Sequence, residues 1–288
     1  MKVKLIKKEN YNLGKLYIKE KSIEIDNTEW KYTVSGNGNK VILAIIANTT
    51  GHLLALPLAE RFSLSHTIVA LSVPPISTFS KTADGLKALL DFENISSCDA
   101  IGQSNGGVYI QNLVSKYPEY IDKIVFSHSL TSMNKNDAYT INASELKVYK
   151  KMRTILKICP VSFITFALQK LFVPKIHLAS GNKATIKLKH LCKSDLNKLT
   201  KQDFLTMSQC MEDFLYNYTF NSTPYSIKPD KILIIDSESD KLANPMQRQE
   251  MRRLCPKAKE YHFKSGGHVT ILNCQEEYFS VLERFWLG

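Results

Sequence analysis

The sequence predicts an α/β fold in which a mostly parallel sheet carries helices on both of its faces. Continuous apolar runs bounded by turn residues are typical of strands that are buried on both sides. Four such runs occur, at residues 41–46, 67–71, 123–127 and 231–235. Segments with helical periodicity lie between or after them, at residues 81–92, 108–117 and 245–254. Because strands and helices that alternate along a chain build parallel sheets, we expect one doubly covered sheet.

The ends of the chain add further elements to this sheet. Residues 23–25 and 30–34 alternate between polar and apolar side chains, which indicates two N-terminal strands, and residues 35–38 form a turn after them. Near the other end, residues 260–263 are predicted to form a short strand. A terminal helix is expected over residues 269–285.

The alternation of strands and helices stops after Ser129 and resumes near residue 226. Residues 130–225 are lysine-rich and helical in pattern, with helices expected at residues 144–156, 163–172 and 203–216. We therefore predict a helical cap at 130–225 inserted into an α/β core formed by residues 1–129 and 226–288. An insertion at the carboxyl end of a parallel sheet would cover the crevice where such sheets bind ligands.

Composition narrows the possible partners. The chain has 288 residues and a formal net charge of +11. We interpret the lysines as scattered along the chain, and arginines do not alternate with aromatic residues. We therefore expect no nucleic-acid partner and at most a weak attraction to anionic surfaces. The six cysteines form no CxxC pair or Cys/His metal spacing, which predicts neither a disulfide framework nor a metal site.

Two segments bear on location. Residues 1–8 are basic but are not followed by an apolar stretch, so we expect no signal peptide. The longest apolar stretch, residues 155–173, contains lysines and a proline and is not expected to span a bilayer. The predicted location is the cytoplasm.

A glycine-flanked serine is the strongest functional motif in the sequence. Gly102-Gln-Ser104-Asn-Gly106 lies between a short predicted strand at residues 97–101 and the helix at 108–117. A serine at such a strand-to-helix turn takes strained backbone angles and exposes its hydroxyl, and the glycines keep strand and helix from colliding. The motif predicts a nucleophilic Ser104.

A serine hydroxyl needs a base to accept its proton and a carboxylate to orient that base. On this architecture the acid and the histidine are expected after later strands, in that order. Asp240 is the predicted acid, with Asp236 and Glu238 as alternatives. His268, which follows Gly266-Gly267, is the predicted base. His128 is placed near the pocket but receives no role in the triad.

Hydrogen-bond donors are also needed for the oxyanion that develops during acyl transfer. One donor is expected to be the backbone N–H of Asn105, directly after the nucleophile. The second is expected from the loop after the strand at residues 41–46, where Asn48 or Thr49 is the candidate.

These motifs resemble the α/β-hydrolase superfamily over residues 30–285. Residues 68–74, 84–91 and 127–129 resemble, more narrowly, the maspardin-like branch and its bacterial relatives. The chain departs from many members at Ala47-Asn48-Thr49, where they carry His-Gly. Maspardin itself is an interaction protein with an eroded catalytic set, whereas serine, acid and histidine are all present here.

The resemblance and the motifs together predict a serine hydrolase that cleaves a carboxylic ester or thioester through an acyl-enzyme, without a cofactor. The expected partner is a small-molecule substrate, with an apolar acyl group as one option. One alternative is a non-catalytic binding or scaffold protein of the same fold. Another is an aminopeptidase of the proline-iminopeptidase type, which needs cap carboxylates to hold a substrate ammonium. The candidate carboxylates are Asp195, Asp203, Glu212 and Asp213.

Overall fold

The computed structural model describes residues 1–133, 138–226, 229–243 and 245–288. The described residues form one nine-stranded sheet. The strands are β1 (Val3–Leu13), β2 (Leu16–Ile25), β3 (Thr28–Ser35), β4 (Lys40–Ile45), β5 (His66–Ser72), β6 (Cys98–Gln103), β7 (Ile121–Ser127), β8 (Ile232–Ser237) and β9 (Lys259–Phe263).

The sheet is mostly parallel, as predicted. Its strand order is β1-β2-β3-β5-β4-β6-β7-β8-β9. The first three strands pair antiparallel, β3 pairs antiparallel with β5, and every later pair is parallel. After β4 the chain goes to one side to form β5 and then crosses to the other side to form β6. Loops after β4 and β6 therefore diverge at the carboxyl edge, which opens a crevice of the kind that binds ligands in such sheets.

Helices cover both faces of the sheet. They are α1 (Gly51–Leu54), α2 (Leu56–Phe62), α3 (Ser80–Phe92), α4 (Asn105–Lys116), α5 (Ala138–Ile158), α6 (Val161–Phe172), α7 (Asn182–Asn197), α8 (Lys201–Asn217), α9 (Thr223–Ser226), α10 (Pro245–Leu254), α11 (Thr270–Asn273) and α12 (Gln275–Trp286). Successive strand residues point to opposite faces. In β4, Ile42 packs into the core beneath α2 and α12, whereas Leu43 packs into the core beneath α3 and α4.

The chain between β7 and β8 is helical. Its described residues form α5 to α9 and contain no strand. Helix α5 packs against α8, and α7 packs against α6 and β1. The predicted boundaries of a cap at 130–225 and a core at 1–129 and 226–288 remain a prediction.

Several elements differ from the sequence prediction in length or number. β2 and β3 are longer than the strands predicted at residues 23–25 and 30–34. β1 was not predicted, because most of its side chains are exposed and so lack an apolar alternation. Helices α1, α2 and α7 were not predicted. The predicted terminal helix is interrupted at Cys274, whose φ of −130° and ψ of 46° are not helical. None of the described helices combines the length and the apolar composition that crossing a bilayer requires.

Candidate active site

Ser104 occupies a strained turn between the end of β6 and the start of α4. Its φ of 56° and ψ of −126° are rarely adopted by a residue with a side chain. Two hydrogen bonds hold this backbone: the Ser104 N–H donates to the Ser127 carbonyl oxygen at 2.9 Å, and the Ser129 hydroxyl donates to the Ser104 carbonyl oxygen at 3.0 Å. Strain of this kind persists only where surrounding structure enforces it.

Glycines on both sides of Ser104 allow this turn to be tight. A Cβ atom at Gly106 would lie 1.9 Å from the carbonyl oxygen of Ile45 in β4. A Cβ atom at Gly102 would lie 2.4 Å from the Cα atom of Gly107. Both distances are shorter than any real contact, so the close approach of α4 to the sheet excludes a side chain at either position.

Three residues that are distant in sequence form a connected hydrogen-bond chain. The Ser104 hydroxyl lies 2.9 Å from Nε2 of His268. Nδ1 of the same ring lies 2.8 Å from Oδ2 of Asp240. Because a carboxylate only accepts hydrogen bonds, Nδ1–H donates to it, and Nε2 is free to accept the serine proton. The structure thus brings together the serine, acid and histidine that the sequence singled out.

Asp240 is held as a carboxylate. Its Oδ1 accepts hydrogen bonds from the backbone N–H groups of Leu242 at 2.9 Å and Ala243 at 3.1 Å. Burial by itself would raise the pKa of Asp240, but hydrogen bonds from His128 and His268 outweigh burial and hold that pKa well below its usual range. The carboxylate is therefore ionised at neutral pH.

His128 is a second imidazole on the same carboxylate, and the sequence interpretation assigned it no role in the triad. Its Nδ1 lies 2.9 Å from Oδ2 of Asp240, and its Nε2 lies 2.8 Å from the hydroxyl of Thr270. Burial lowers the pKa of His128, although the hydrogen bond to Asp240 opposes this effect. A neutral ring donates through Nδ1–H and accepts from Thr270 through Nε2. The available signal in the sequence was its position directly after a strand that adjoins the acid-bearing strand.

Hydrogen bonds to the backbone and two glycines position the loop that carries His268. The Gln103 side-chain amide donates to the His268 carbonyl oxygen at 2.6 Å, and its own oxygen accepts from the Ser127 hydroxyl at 2.7 Å. Gly266 and Gly267 take φ angles of 103° and 63°, which favour glycine. The residue before the nucleophile therefore positions the histidine loop directly.

The two alternative acids lie elsewhere. Asp236 is the penultimate residue of β8. It hydrogen-bonds to His262, and its Oδ2 lies 3.2 Å from a guanidinium nitrogen of Arg252. Glu238 is exposed. Of the three carboxylates considered, Asp240 is the one that contacts His268.

The predicted oxyanion residues surround Ser104. Asn105 is the first residue of α4, where backbone N–H groups lack intrahelical partners and the helix dipole favours negative charge. Asn48 and Thr49 lie with Ser104 in the walls of two adjoining cavities. The Tyr149 hydroxyl lies 3.5 Å from the side-chain oxygen of Asn105 and connects α5 to this side of the site.

The two cavities that contain Ser104 differ in size. The larger is about 450 Å³, and the helices between β7 and β8 supply much of its wall. Apolar side chains from these helices are Val148, Tyr149, Met152, Leu168, Phe204, Met207 and Met211. The smaller cavity is about 200 Å³ and includes Ile46, Leu54, Leu168, Phe172 and Leu272. Both are suited to small molecules with apolar parts.

The carboxylates proposed for ammonium binding do not line these cavities. Glu212 pairs with Arg153 at 3.1 Å, and Asp213 accepts a hydrogen bond from the Phe79 backbone at 2.7 Å. The described walls include neither Asp195 nor Asp203. The larger cavity contains Glu145 instead, which the sequence interpretation did not identify.

Glu145 is a half-buried carboxyl in the wall of the larger cavity. Burial raises the pKa of Glu145, and a hydrogen bond with Gln247 partly opposes this. Its environment therefore favours the neutral acid more than water does. It adds a polar group to a largely apolar wall.

His128, Asp240 and His268 form the one group of metal-type ligands found among the described residues, with donor atoms within 4.8 Å of one another. Each of these atoms is already used. Both Nδ1 atoms hydrogen-bond to the same carboxylate oxygen, and the two Nε2 atoms contact Thr270 and Ser104. The donor atoms of this cluster are therefore engaged in hydrogen bonds within the protein.

A family model described as alpha/beta hydrolase fold matches residues 69–273. The chain belongs to the alpha/beta hydrolase fold family. This match spans the serine turn, the acid and the histidine, and it agrees with the fold class and family predicted from the motifs. A search of curated protein sequences returned no match.

Solved structures of other alpha/beta hydrolases are similar to most or all of this chain. One is 2-hydroxy-6-oxo-6-phenylhexa-2,4-dienoate hydrolase from Rhodococcus sp. strain RHA1, with 14% identity, a TM-score of 0.65 and coverage of 100% of both chains. The enol-lactonase from Burkholderia xenovorans LB400 has 13% identity, a TM-score of 0.64 and coverage of 92% of this chain and 98% of that chain. A thermophilic esterase from Thermogutta terrifontis has 14% identity, a TM-score of 0.59 and coverage of 90% and 93%. At sequence identities this low, the structural similarity shows a shared fold alone.

Proposed function

We propose that this protein is a serine hydrolase that cleaves a carboxylic ester or thioester. The single observation that carries the proposal is the hydrogen-bond chain from the Ser104 hydroxyl through His268 to Asp240. A hydroxyl, an imidazole and a buried carboxylate in this order form the arrangement that activates serine for nucleophilic attack.

The proposed reaction proceeds in two acyl transfers. Ser104 Oγ attacks the substrate carbonyl carbon while His268 Nε2 accepts the hydroxyl proton, and the imidazolium that forms is stabilised by Asp240. The bond to the leaving oxygen or sulfur then breaks, and His268 returns the proton to the leaving group. Water then attacks the acyl-enzyme carbonyl carbon and gives a proton to His268. As the bond from the acyl carbon to Ser104 Oγ breaks, His268 returns that proton to Oγ, and the acid product leaves.

The oxyanion is proposed to bind at the N-terminus of α4. The backbone N–H of Asn105 is one donor, and a backbone N–H from Asn48 or Thr49 is the other. Their position beside Ser104 in both cavities supports this assignment. No step requires a cofactor or a metal.

The substrate is proposed to be a small molecule with an apolar part on at least one side of the scissile bond. Ser104 lies where cavities of about 450 and about 200 Å³ adjoin, so acyl and leaving groups have separate spaces. In this proposal residues 130–225 act as a cap, because side chains from α5, α6 and α8 contribute to the walls. The aminopeptidase alternative loses support because none of its four candidate carboxylates lines the two cavities that contain Ser104, although Asp195 and Asp203 line a neighbouring cavity.

A fluorophosphonate probe and a short p-nitrophenyl ester test the proposal. We expect the wild-type protein to be labelled and to hydrolyse the ester, and Ser104→Ala to lose labelling and at least about a thousandfold in kcat/KM. Ser162→Ala is a matched control, because Ser162 is exposed on α6 and does not line the two cavities. A folded wild-type protein that is neither labelled nor active on a panel of esters and thioesters would favour the scaffold alternative.

A further inference from the structure

The positive charge of the protein is concentrated in one stretch of chain. Of the 38 lysines and arginines, eleven lie within residues 146–194, and none of the 27 acidic residues lies there. The rest of the chain therefore has 27 residues of each sign, so this stretch accounts for the whole net charge of +11. The expectation that the lysines are scattered along the chain is therefore wrong.

Most of this charge is not neutralised locally. Among the described residues, Arg153 is the one cation of this stretch that pairs with a carboxylate, at 3.1 Å from Glu212. The exposed lysines of α5 and α6 are Lys147, Lys150, Lys151, Lys157 and Lys170. Charges that face solvent without a partner remain available for an anionic surface.

Helix α5 carries an apolar stripe that faces solvent. Val148, Met152 and Ile155 follow the i, i+4, i+7 spacing of one helical face, and all three are exposed. Tyr149 and Leu156 lie on another face and are at least half-buried. Val148 and Met152 also line the larger cavity, so this exposed stripe reaches the candidate site.

Helix α6 exposes aromatic rings next to a cation. Phe163 is 69% exposed and Phe166 is 56% exposed. Nζ of Lys170 lies 5.4 Å from the centre of the Phe166 ring. On the opposite side of this helix, Leu168 and Phe172 line the cavities beside Ser104. One helix thus presents apolar groups to the candidate site on one side and to solvent on the other.

We call the exposed apolar and basic side chains of these two consecutive helices the α5–α6 surface: Val148, Met152, Ile155, Phe163 and Phe166, together with Lys147, Lys151 and Lys170. In the described residues, seven of the seventeen exposed large apolar side chains belong to α5 and α6. Such a concentration on two helices is typical of an interaction surface.

We propose that the α5–α6 surface docks onto the surface of an anionic lipid bilayer. Helices that lie in a bilayer interface place aromatic and aliphatic side chains among the acyl chains, and their lysines reach the anionic headgroups. Charge complementarity favours this occupant, because a second copy of the chain would bring the same positive charge to the contact. Docking would place the helices that line the candidate site against lipid. The docking proposal does not depend on the proposed hydrolase activity.

Vesicle co-sedimentation tests this proposal. We compare vesicles of phosphatidylcholine alone with vesicles in which about a third of the lipid is phosphatidylglycerol. We expect binding to the anionic vesicles that weakens as salt is added. The double variant Phe163→Ser, Phe166→Ser should bind about tenfold more weakly or worse, because two exposed rings no longer enter the apolar region. Lys151→Glu with Lys170→Glu should weaken binding by at least about tenfold, since each removed cation matters several-fold at an anionic surface.

Matched controls come from elements outside the α5–α6 surface. Leu64 is 92% exposed next to the start of β5, and Leu64→Ser removes an exposed apolar side chain at the amino edge of the parallel strands. Lys4→Glu with Lys8→Glu reverses two exposed lysines of β1. Both controls should bind anionic vesicles as the wild-type protein does. All replaced side chains are exposed, and thermal unfolding checks that each variant is folded.

Three results would overturn the proposal. The first is a lack of binding to anionic vesicles at low salt. The second is equal weakening by the Lys4 and Lys8 control, which would indicate attraction through total charge. The third is self-association by light scattering that Phe163→Ser with Phe166→Ser abolishes, without vesicle binding, which would make the α5–α6 surface a contact between copies of the chain. Loss of ester hydrolysis in Ser104→Ala with vesicle binding unchanged would separate the two proposals.

Discussion

Replacement of His128 tests whether the second imidazole on Asp240 tunes the proposed reaction. Oδ2 of Asp240 receives hydrogen bonds from both His128 and His268, at 2.9 and 2.8 Å. His128→Phe keeps a ring but removes the donor. The pKa of Asp240, which both imidazoles hold well below its usual range, should then rise.

The size and sign of the effect follow from that lost hydrogen bond. A hydrogen bond to a charged group is worth about 1.5 to 3 kcal/mol, and one pH unit corresponds to about 1.4 kcal/mol. Without the donor from His128 the Asp240 carboxylate accepts a proton more readily, and a protonated carboxyl cannot stabilise the imidazolium that forms on His268 during the reaction. The acid limb of the kcat/KM profile should therefore move to higher pH by up to about one to two units.

The assay is hydrolysis of a short p-nitrophenyl ester from about pH 4.5 to about pH 9, followed at the isosbestic wavelength of the product. His128→Asn is the matched control, because Nδ2 of asparagine occupies a position similar to Nδ1 of histidine. Asparagine also tolerates the left-handed φ of 48° found at this position. Its acid limb should stay near that of the wild-type protein.

An acid limb in His128→Phe that does not move, or that moves to lower pH, would refute the reasoning. An equal shift in His128→Asn would also refute it, because a general disturbance of the site and not the loss of a donor would then be responsible. Thermal unfolding of both variants separates strain in the backbone from the change in titration.

Three further changes test the positioning of the site and the stability of the fold. Gly106→Ala should lower the free energy of unfolding in urea by about 1 to 3 kcal/mol, because the new Cβ would lie 1.9 Å from the Ile45 carbonyl oxygen and force α4 away from β4. An unchanged unfolding midpoint would contradict this. Gln103→Leu should lower kcat about tenfold with little change in KM, because the His268 carbonyl oxygen loses the amide donor, at 2.6 Å, that positions its loop. A change confined to KM would argue against a positioning role for Gln103. Burial lowers the pKa of His66 from 6.5, so the unfolded chain takes up a proton that the folded chain resists, and stability is lost as pH falls below about 6.5. The melting temperature should therefore fall from pH 7 to pH 5, and fall less in His66→Gln; parallel slopes would contradict the assignment.

Most of the parallel part of the sheet was predictable from sequence. A strand buried on both faces must be apolar throughout, so β4, β5, β7 and β8 were visible as apolar runs. A strand whose side chains are mostly exposed carries no such signal, and β1 was missed for this reason. Helices α1 and α2 were missed because their apolar residues merge into the loop between two strands.

Ser104, Asp240 and His268 were also identifiable, because backbone requirements mark them locally. A serine between glycines at a strand-to-helix turn and a histidine after two glycines have steric reasons that a short stretch of sequence can show. The fold order then places the acid between them along the chain.

Tertiary structure alone decided which side chains share a partner. Nothing in the sequence near His128 shows that its ring reaches Asp240, which lies 112 residues later, because that contact depends on the adjacency of β7 and β8 in the sheet. The same holds for Glu145 in the cavity wall and for the outward side of α6. The identity of a residue limits the chemistry available to it, whereas the partners that use that chemistry are chosen by the packing of elements that are distant along the chain.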